Sequence, residues 1–471
     1  NGILHHEVRI EFQDESTITV DDMDIFSLQI SEASSNTSSF DLGAANANQL
    51  TLKLNNIDGK FDTHDFSEAL ITVKIGLELP DGSTEWLNKG SFNAEPGEES
   101  GNTISVKAFD DMVKFDQPYS LSKLAYPATL GNIVRDACSC CGVTLAPDTA
   151  SFDNDNYVVQ NRPDDSSVTF RQILQWVGQI ACNFFVINID GKLSARWYNT
   201  EILESMWGYK KDGVLYNING ELIEDVSGLI IVEETEGIIK TDALLSGSVI
   251  KTDDVVITGI KVVEEDQGDT SEETTYQSGA EGYVLEISGN KLIQDGNGAT
   301  IASYLGERLN GLQFRPMEVD VPTDPAREAG DLGLVTDARG RHYKTIFTNI
   351  EYNAHAAQKL TSGAEAPTRL SSVRYSQATR VYKELRANLK KQKTEWDAAF
   401  DKLQSVMKTK NGLFPIRETQ EDGSSILYFC DKPELSDASI VVKFSAAGWA
   451  MSTDGGKTWN SGWLVDGTMI A

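Results

Sequence analysis

The chain of 471 residues has little of what several classes of protein require. It contains five cysteines, too few for a disulfide-stabilised scaffold of this length, and five histidines, which offer few bases or metal ligands. No stretch approaches the roughly 20 consecutive apolar residues of a membrane-spanning helix. The first ten residues, NGILHHEVRI, alternate instead of forming an apolar run. We therefore expect no membrane span and no signal peptide.

Positive charge is also scarce. The 41 lysines and arginines face 71 acidic residues, which gives a net charge of −30. Such a surface repels phosphate, so we expect no sequence-specific binding of nucleic acid. The acidity either keeps a large assembly soluble or lines a passage along which DNA slides without binding.

The motifs that could hold a metal are incomplete. His5 and His6 are adjacent, so they point to opposite faces of a strand and do not readily chelate one ion. Three cysteines crowd into ACSCCGV without a second C-x-x-C, which favours core packing of Cys138 and Cys141 over a zinc site. DNDNY (153–157) starts like a calcium loop but lacks its later glycine and glutamate, so it is interpreted as an Asx-rich turn.

Motifs for catalysis are missing as well. No histidine stands in a zinc-peptidase pattern, and neither a phosphate-binding loop nor a G-x-S-x-G motif occurs. We expect no catalytic residue, no metal and no cofactor, and hence no enzyme.

What the sequence does contain is a succession of β-rich and mixed segments, which predicts an α+β multidomain protein. Residues 1–118 alternate apolar and polar positions and predict a first β-barrel-like domain, with turns at Asp58-Gly59 and Asp81-Gly82. The other predicted divisions are an α+β domain at 119–208, a second β-barrel-like domain at 209–270 and 320–360, an α/β insert at 271–319, a linker at 361–374, a coiled-coil helix at 375–410 and a β-rich tail at 411–471.

Helix spacing is clearest in the α+β segment. A helix is predicted from Leu130, with start signals at Pro127 and Thr129 and a stop at Gly142. A second helix begins near Phe170, and a hairpin follows around Asp190-Gly191. A later helix has Ile301, Leu305, Leu309 and Leu312 on one face.

An unbroken heptad pattern follows the linker. From Tyr375 and Ala378 onward, the predicted a and d positions of the heptad are separated alternately by three and four residues. This spacing favours a coiled coil over a helix packed on a core. The predicted coiled-coil seam is formed by Tyr382, Leu385, Leu389, Gln392, Trp396, Ala399, Leu403 and Val406, and the spacing alone does not set the number of chains.

The tail contains a motif that resembles the Asp-box of sialidase propellers. It reads S-x-D-x-G-x-T-W and comprises Ser452, Asp454, Gly456, Thr458 and Trp459. A propeller needs several copies at a regular period, and this chain has one. We therefore expect a stabilised hairpin turn, with Trp449, Trp459 and Trp463 more suited to packing than to stacking on sugars.

Several stretches together resemble one family. SFDLGAANANQLTLKLNNIDGKFD, TISVKAFDDMVKFDQPY, LAYPATLGNIVRDACSCCGVTL, VTFRQILQWVGQIACNFFVINIDGKLSARWY and AGDLGLVTDARGRHYKTIFTNIEY are similar, in order, to baseplate-hub or tail-tip proteins of tailed phages, prophages and phage-tail-like bacteriocins. In Gram-positive systems these are tail-associated or prophage endopeptidase tail proteins. The resemblance covers nearly the whole chain.

The resemblance implies a homotrimer whose two tube-like β domains per chain make a pseudo-sixfold ring on the hexameric tail tube. Its implied partners are the tail tube protein, distal tail or baseplate proteins, the tape-measure protein and a spike or fibre. The implied location is the tip of a virion tail or phage-tail-like particle assembled in the bacterial cytoplasm. Family members that cleave cell walls use additional C-terminal domains, so the activity is not transferred. The alternatives are a cell-wall hydrolase or glycan-binding tail enzyme that uses the Asp-box region, and a surface adhesin.

Overall fold

A computed structural model describes residues 3–36, 39–163, 167–223, 228–235, 237–241, 243–265, 273–364, 414–419, 425–465 and 467–470. The chain divides into two compact units, residues 1–373 and 374–471. The predicted coiled coil at 375–410, its whole seam and most of the preceding linker lie outside the described residues. The described residues are β-rich, with few helices and several sheets.

The first unit opens with strands whose apolar residues alternate with polar ones. Val8 and Ile10 are fully buried, for example, whereas Arg9 between them is exposed. The strands are β1 (Leu4–Glu11), β2 (Thr17–Asp21), β3 (Ile25–Ala33), β4 (Gln49–Asn55), β5 (Leu70–Glu78), β6 (Thr84–Ala94), β7 (Glu98–Ser100) and β8 (Thr103–Phe109).

The two predicted turns differ in outcome. Asp81-Gly82 joins the antiparallel neighbours β5 and β6, and Gly82 has φ +83°, as that hairpin requires. Asp58-Gly59 also forms a turn, with Gly59 at φ +71°. The prediction of a hairpin there was wrong, because β4 pairs with β3 and β8 and not with the next strand, β5.

The next segment is mixed, as the sequence predicts. Its elements are β9 (Ala128–Thr129), α1 (Leu130–Cys141), β10 (Thr144–Leu145), β11 (Val158–Val159), α2 (Phe170–Ala181), β12 (Phe184–Ile187), β13 (Lys192–Arg196) and α3 (Thr200–Glu204).

Both predicted helix starts are confirmed at the residue level. The Thr129 hydroxyl accepts a hydrogen bond from the Asn132 amide, and α1 ends at Gly142 with φ +67°. Thr169 caps α2 in the same way. The predicted hairpin around Asp190-Gly191 is confirmed by the antiparallel pairing of β12 with β13.

The remainder of the first unit returns to strands around one helix. The elements are β14 (Met206–Lys211), β15 (Val214–Asn217), β16 (Leu229–Ile231), β17 (Ile238–Thr241), β18 (Val249–Ile250), β19 (Val255–Glu265), β20 (Glu273–Gly279), β21 (Tyr283–Ile287), α4 (Gly298–Leu309), β22 (Gln313–Phe314), β23 (Met317–Val321), β24 (Leu332–Thr336), β25 (His342–Ile346), β26 (Asn349–Asn353) and β27 (Gln358–Ser362).

Helix α4 is shorter than its predicted apolar face. Ile301, Leu305 and Leu309 lie on the buried side of the helix, whereas Leu312 is buried beyond the helix end. Short 3₁₀ helices complete the described structure at Asp111–Asp116, Tyr119–Leu121, Pro147–Thr149, Val232–Glu234 and Leu435–Asp437. In the part of the chain that is described, α-helices reach at most twelve residues, and no membrane-spanning helix is found.

The largest sheet joins strands from both ends of the first unit. Its order is β18-β23-β27-β26-β3-β4-β8-β6-β5-β1-β2, with β7 added beside β8. The junction is the antiparallel pair β3–β26, in which Tyr352 lies opposite Ile30. This order is an open path, so the described strands do not form a closed barrel. The strands between β8 and β26 in the sequence also form smaller sheets, with the orders β20-β19-β21, β17-β24-β25, β15-β14-β16 and β10-β13-β12.

The second unit contains a six-stranded antiparallel meander. Each strand pairs with the next in sequence. The strands are β28 (Phe414–Thr419), β29 (Ser425–Cys430), β30 (Val441–Ser445), β31 (Gly448–Ser452), β32 (Ser461–Leu464) and β33 (Met469–Ile470).

Candidate functional site

The Asp-box residues lie together in the turn between β31 and β32. The Asp454 carboxylate accepts hydrogen bonds from the Thr458 amide (2.9 Å), the Thr458 hydroxyl (2.6 Å) and the Ser452 hydroxyl (2.7 Å). The Ser452 hydroxyl oxygen in turn accepts from the Gly456 amide at 2.8 Å. Gly455 and Gly456 have φ of +74° and +84°, a region that favours glycine. The motif therefore bonds chiefly to itself.

These bonds also fix the charge of the turn. Hydrogen bonds from the Thr458 side chain and amide, and from the Ser452 hydroxyl, hold the pKa of Asp454 well below its usual value. The carboxylate is thus ionised throughout the physiological range. A group that is already ionised and committed to its own turn cannot donate a proton, as a general acid must.

The three tail tryptophans have different environments. Trp459 packs on the small core formed by Cys430, Ala438 and Val441. Trp449 and Trp463 are directly paired on neighbouring strands and are 39% and 52% exposed.

The exposed pair belongs to a cross-strand apolar row. In register across β29 to β33 this row consists of Leu427, Phe444, Trp449, Trp463 and Met469. The Phe444 and Trp449 rings stack with centroids 6.4 Å apart. Residues directly paired across strands share a face, so the row lies on the face opposite Cys430 and Val441.

A polar cleft of about 890 Å³ lies at the β3–β26 junction of the first unit. It is lined by side chains of both signs, including Glu32, Glu351, Lys359 and Arg171. Arg171 pairs with Asp116 at 2.6 Å. The cleft therefore opens where strands of the two predicted β-barrel-like domains (1–118, and 209–270 with 320–360) pair with each other.

A cluster around Asp22 was not anticipated from the sequence. Asp22 follows the edge strand β2, whose last residue, Asp21, pairs with Glu7 of β1. Its Oδ1 lies 2.6 Å from Nδ1 of His6 and 3.5 Å from Nε2 of His355, which lies in the turn between β26 and β27. Its Oδ2 lies 3.5 Å from Nδ1 of His5. Three of the five histidines thus gather on one carboxylate.

The environment of His6 is well defined. Its side chain is 1% exposed, and its Nε2 lies 2.7 Å from the hydroxyl of Tyr352 on β26. Burial lowers the pKa of His6, against the opposing effect of its hydrogen bond to Asp22. Burial also raises the pKa of Tyr352, which stays a neutral phenol.

The sequence separates these residues too widely for any spacing motif. The hairpin register of β1 and β2 is the one signal that places Asp22 near His6. The side chains of His5 and His6 differ in exposure, at 39% and 1%, although a ring nitrogen of each lies near the Asp22 carboxylate. His64 and His342 lie elsewhere, stacked on Phe12 and bonded to Thr336 respectively.

The other sequence candidates for metal binding occupy structural positions. Cys138 and Cys141 lie in the main core, where burial raises the pKa of each thiol to about 12. In the DNDNY segment Asp153 pairs with Arg308 at 2.6 Å, and Asn154 has φ +59° and donates to the Ile180 carbonyl. All five cysteines are free thiols.

Comparison with known proteins found similar solved structures but no match to a family model or a curated protein. The 43 kDa tail protein of prophage MuSo2 from Shewanella oneidensis has a TM-score of 0.42 at 10% identity, covering 77% of this chain and 99% of that one.

Two further structures are similar over the same share of the chain. The tail protein of Neisseria meningitidis MC58 has a TM-score of 0.42 at 10% identity, covering 77% of this chain and 97% of that one. A half-lidded PdpA–VgrG complex of Francisella has a TM-score of 0.38 at 9% identity, covering 78% of this chain and 59% of that one. Two of these three structures carry the name tail protein.

Proposed function

We propose that the chain is a non-enzymatic structural hub at the distal end of a phage-like tail. In this proposal three chains form a ring that joins the tail tube to the tip or fibre apparatus. The observation that carries it is the β3–β26 pair, since it unites strands of both predicted tube segments in one sheet. A rigid pair of β segments per chain is what a pseudo-sixfold ring of three chains requires.

The edges of that sheet are suited to assembly. Its outermost strands in the described residues are β2 and β18, which each pair on one side within this sheet. Unpaired strand edges are templates for pairing with another chain, and head-to-tail contacts close into rings when the rotation permits. We propose that the ring contacts use these edges.

The charge supports a passage function for the ring. A net charge of −30 disfavours adhesion of DNA, so an acidic lumen lets DNA or a tape-measure protein pass without binding. The proposed partners are the tail tube protein, distal tail or baseplate proteins, the tape-measure protein and a spike or fibre. The proposed location is the tip of the tail particle.

The proposed trimer is tested by the native mass of the full chain and of two seam variants. We expect about 155 kDa, three times the 51.7 kDa of one chain. Leu389→Glu places a charge in the predicted heptad seam and should shift the mass towards the monomer. Ala387→Glu adds the same charge two residues away, off the seam, and should leave the trimer intact. Light scattering after size exclusion measures all three.

Two results would contradict the hub proposal. One is a wild-type mass of a single chain at micromolar concentration. The other is peptidoglycan turnover by the chain that a single carboxylate substitution abolishes, which would establish the rival cell-wall hydrolase.

A further inference from the structure

We propose that His6, Asp22 and His355 form a binding site for a divalent transition metal of the zinc class. The ligand atoms of these three residues lie within 4.8 Å of one another. The site does not depend on the proposed hub function.

The distances are close to those of a coordinated ion. Ligands held at about 2.0–2.2 Å from a tetrahedral zinc ion lie about 3.3–3.5 Å from one another. Asp22 Oδ1 and His355 Nε2 are already 3.5 Å apart. His6 Nδ1, now 2.6 Å from Asp22 Oδ1, needs to retreat by less than 1 Å.

The surroundings of His6 supply the supporting contact that metal-binding histidines use. The Tyr352 hydroxyl oxygen, 2.7 Å from Nε2, can accept a hydrogen bond from the Nε2–H group, which leaves the Nδ1 lone pair free for the ion. Histidine ligands commonly donate their second N–H to such an oxygen, which fixes the ring orientation. Without an ion the other tautomer, with Nδ1–H donating to Asp22, satisfies the same contacts.

The donor set selects the class of ion. Two imidazole nitrogens and one carboxylate oxygen suit zinc, cobalt or nickel, whereas calcium and magnesium prefer oxygen ligands alone. His6 is buried, but the His355 side chain is 52% exposed and that of Asp22 29% exposed. An ion can therefore enter from solvent, and water can complete its coordination.

The ligands come from distant parts of the chain. His6 lies on β1, Asp22 follows β2, and His355 lies in the β26–β27 turn. A bound ion would cross-link the N-terminal hairpin to the β26–β27 turn. It would stabilise the folded chain by an amount that rises with the logarithm of the ion concentration over the dissociation constant.

The test uses the full chain without an affinity tag, stripped with a chelator and titrated with Zn²⁺ by calorimetry. Co²⁺ is used in parallel, because its visible spectrum reports coordination geometry. We expect one saturable high-affinity Zn²⁺ site per chain and a higher thermal midpoint with Zn²⁺. His355→Ala, which removes an exposed side chain, should weaken Zn²⁺ binding at least tenfold and reduce the thermal shift.

Matched variants separate this site from adventitious binding. His64→Ala removes a histidine outside the cluster and should bind Zn²⁺ as the wild type does. Asp22→Asn should weaken binding as His355→Ala does, and circular dichroism checks that both variants remain folded. Wild-type affinity in the His355→Ala variant would overturn the proposal, as would the absence of saturable binding by the wild type.

Discussion

At the scale of single residues, Asp331 differs from the many acidic groups on the surface. It stands immediately before β24, and its carboxylate accepts a hydrogen bond from the Glu328 amide at 3.0 Å. Partial burial, with the nearby charges of Glu328 and Glu32, raises its pKa to about 6, against the opposing effects of the hydrogen bond and of Arg196. The folded protein therefore holds this proton more tightly than the unfolded chain does.

The raised pKa predicts a pH-dependent contribution to stability. Because the folded pKa lies above the unfolded value of 3.8, the contribution is complete below about pH 4 and is lost as the pH rises through 6. Asp331→Asn cannot titrate, so the stability of the wild type relative to the variant should fall between pH 4 and 7.5. One pKa unit corresponds to about 1.4 kcal/mol, so the fall is at most about 3 kcal/mol, and residual solvent contact reduces it. Urea unfolding at both pH values measures the difference.

Asp337 provides the control, because it lies at the other end of the same strand. Hydrogen bonds from Arg341 and Arg339 lower its pKa to about 2. The contribution of Asp337 to the free energy of unfolding is present above the pKa of the unfolded chain and is lost only as the pH falls through 2. The stability difference between the wild type and Asp337→Asn should therefore stay constant from pH 4 to 7.5. A flat difference for Asp331→Asn as well would contradict the assignment.

Residue-level predictions from the sequence succeeded where the determinant was local. Cys138 and Cys141 were predicted to pack in a core, and they lie on the buried side of α1 in the main core. The approach of His355 to His6 and Asp22 was missed, because His355 is more than 300 positions from both residues in the sequence. No local pattern encodes such a contact.

At the scale of elements, helix α4 shows how a terminus can be completed from another element. Its N-cap residue, Asn297, makes no side-chain capping bond. Glu264 of β19 instead accepts hydrogen bonds from the amides of Gly296 (2.7 Å) and Gly298 (2.9 Å). Glu264 is 7% exposed, and an anion at a helix N-terminus is favoured by the helix dipole.

Removing this cap should destabilise the first unit. Glu264→Ala leaves two backbone amides without their acceptor, which costs about 1–3 kcal/mol. Glu264→Gln keeps one acceptor oxygen and should lose less. Glu307→Ala, on the exposed face of the same helix, should change stability by no more than about 0.5 kcal/mol. Denaturant unfolding ranks the three variants, and equal losses for Glu264→Ala and Glu307→Ala would contradict the capping role.

The bounds of secondary-structure elements were predicted best where the capping and turn residues are adjacent to the element in the sequence. Thr129 and Gly142 marked the ends of α1 correctly. The hairpin prediction at Asp58-Gly59 was wrong, because a glycine turn predicts a reversal of the chain but not which strands pair after it. The capping of α4 by Glu264 has no local signal, since donor and acceptor lie on different elements.

At the scale of the whole molecule, strand β26 connects two cores of the first unit. Tyr352 contributes to the core of the N-terminal strands, and Ile350 contributes to the core of β23 and β27. The strand pairs with β3 on one side and with β27 on the other. The sequence predicted two β segments, but it did not predict that they pair in one sheet, because the pairing residues are more than 300 positions apart. The proposed hub depends on this union.

Because the two β segments share one sheet, we expect a substitution that destabilises one segment to destabilise the other. Ile350 is 2% exposed, so Ile350→Ala should cost about 2–5 kcal/mol by leaving a cavity. Because β3 relies on β26 as a partner, amide hydrogen exchange should accelerate in Ile25–Ala33 as well as in Met317–Val321. Ile57→Ala removes an isoleucine that is 72% exposed and should leave both strands protected. Mass spectrometry of exchanged peptides measures both regions, and acceleration confined to Met317–Val321 would show that the two segments are stabilised independently.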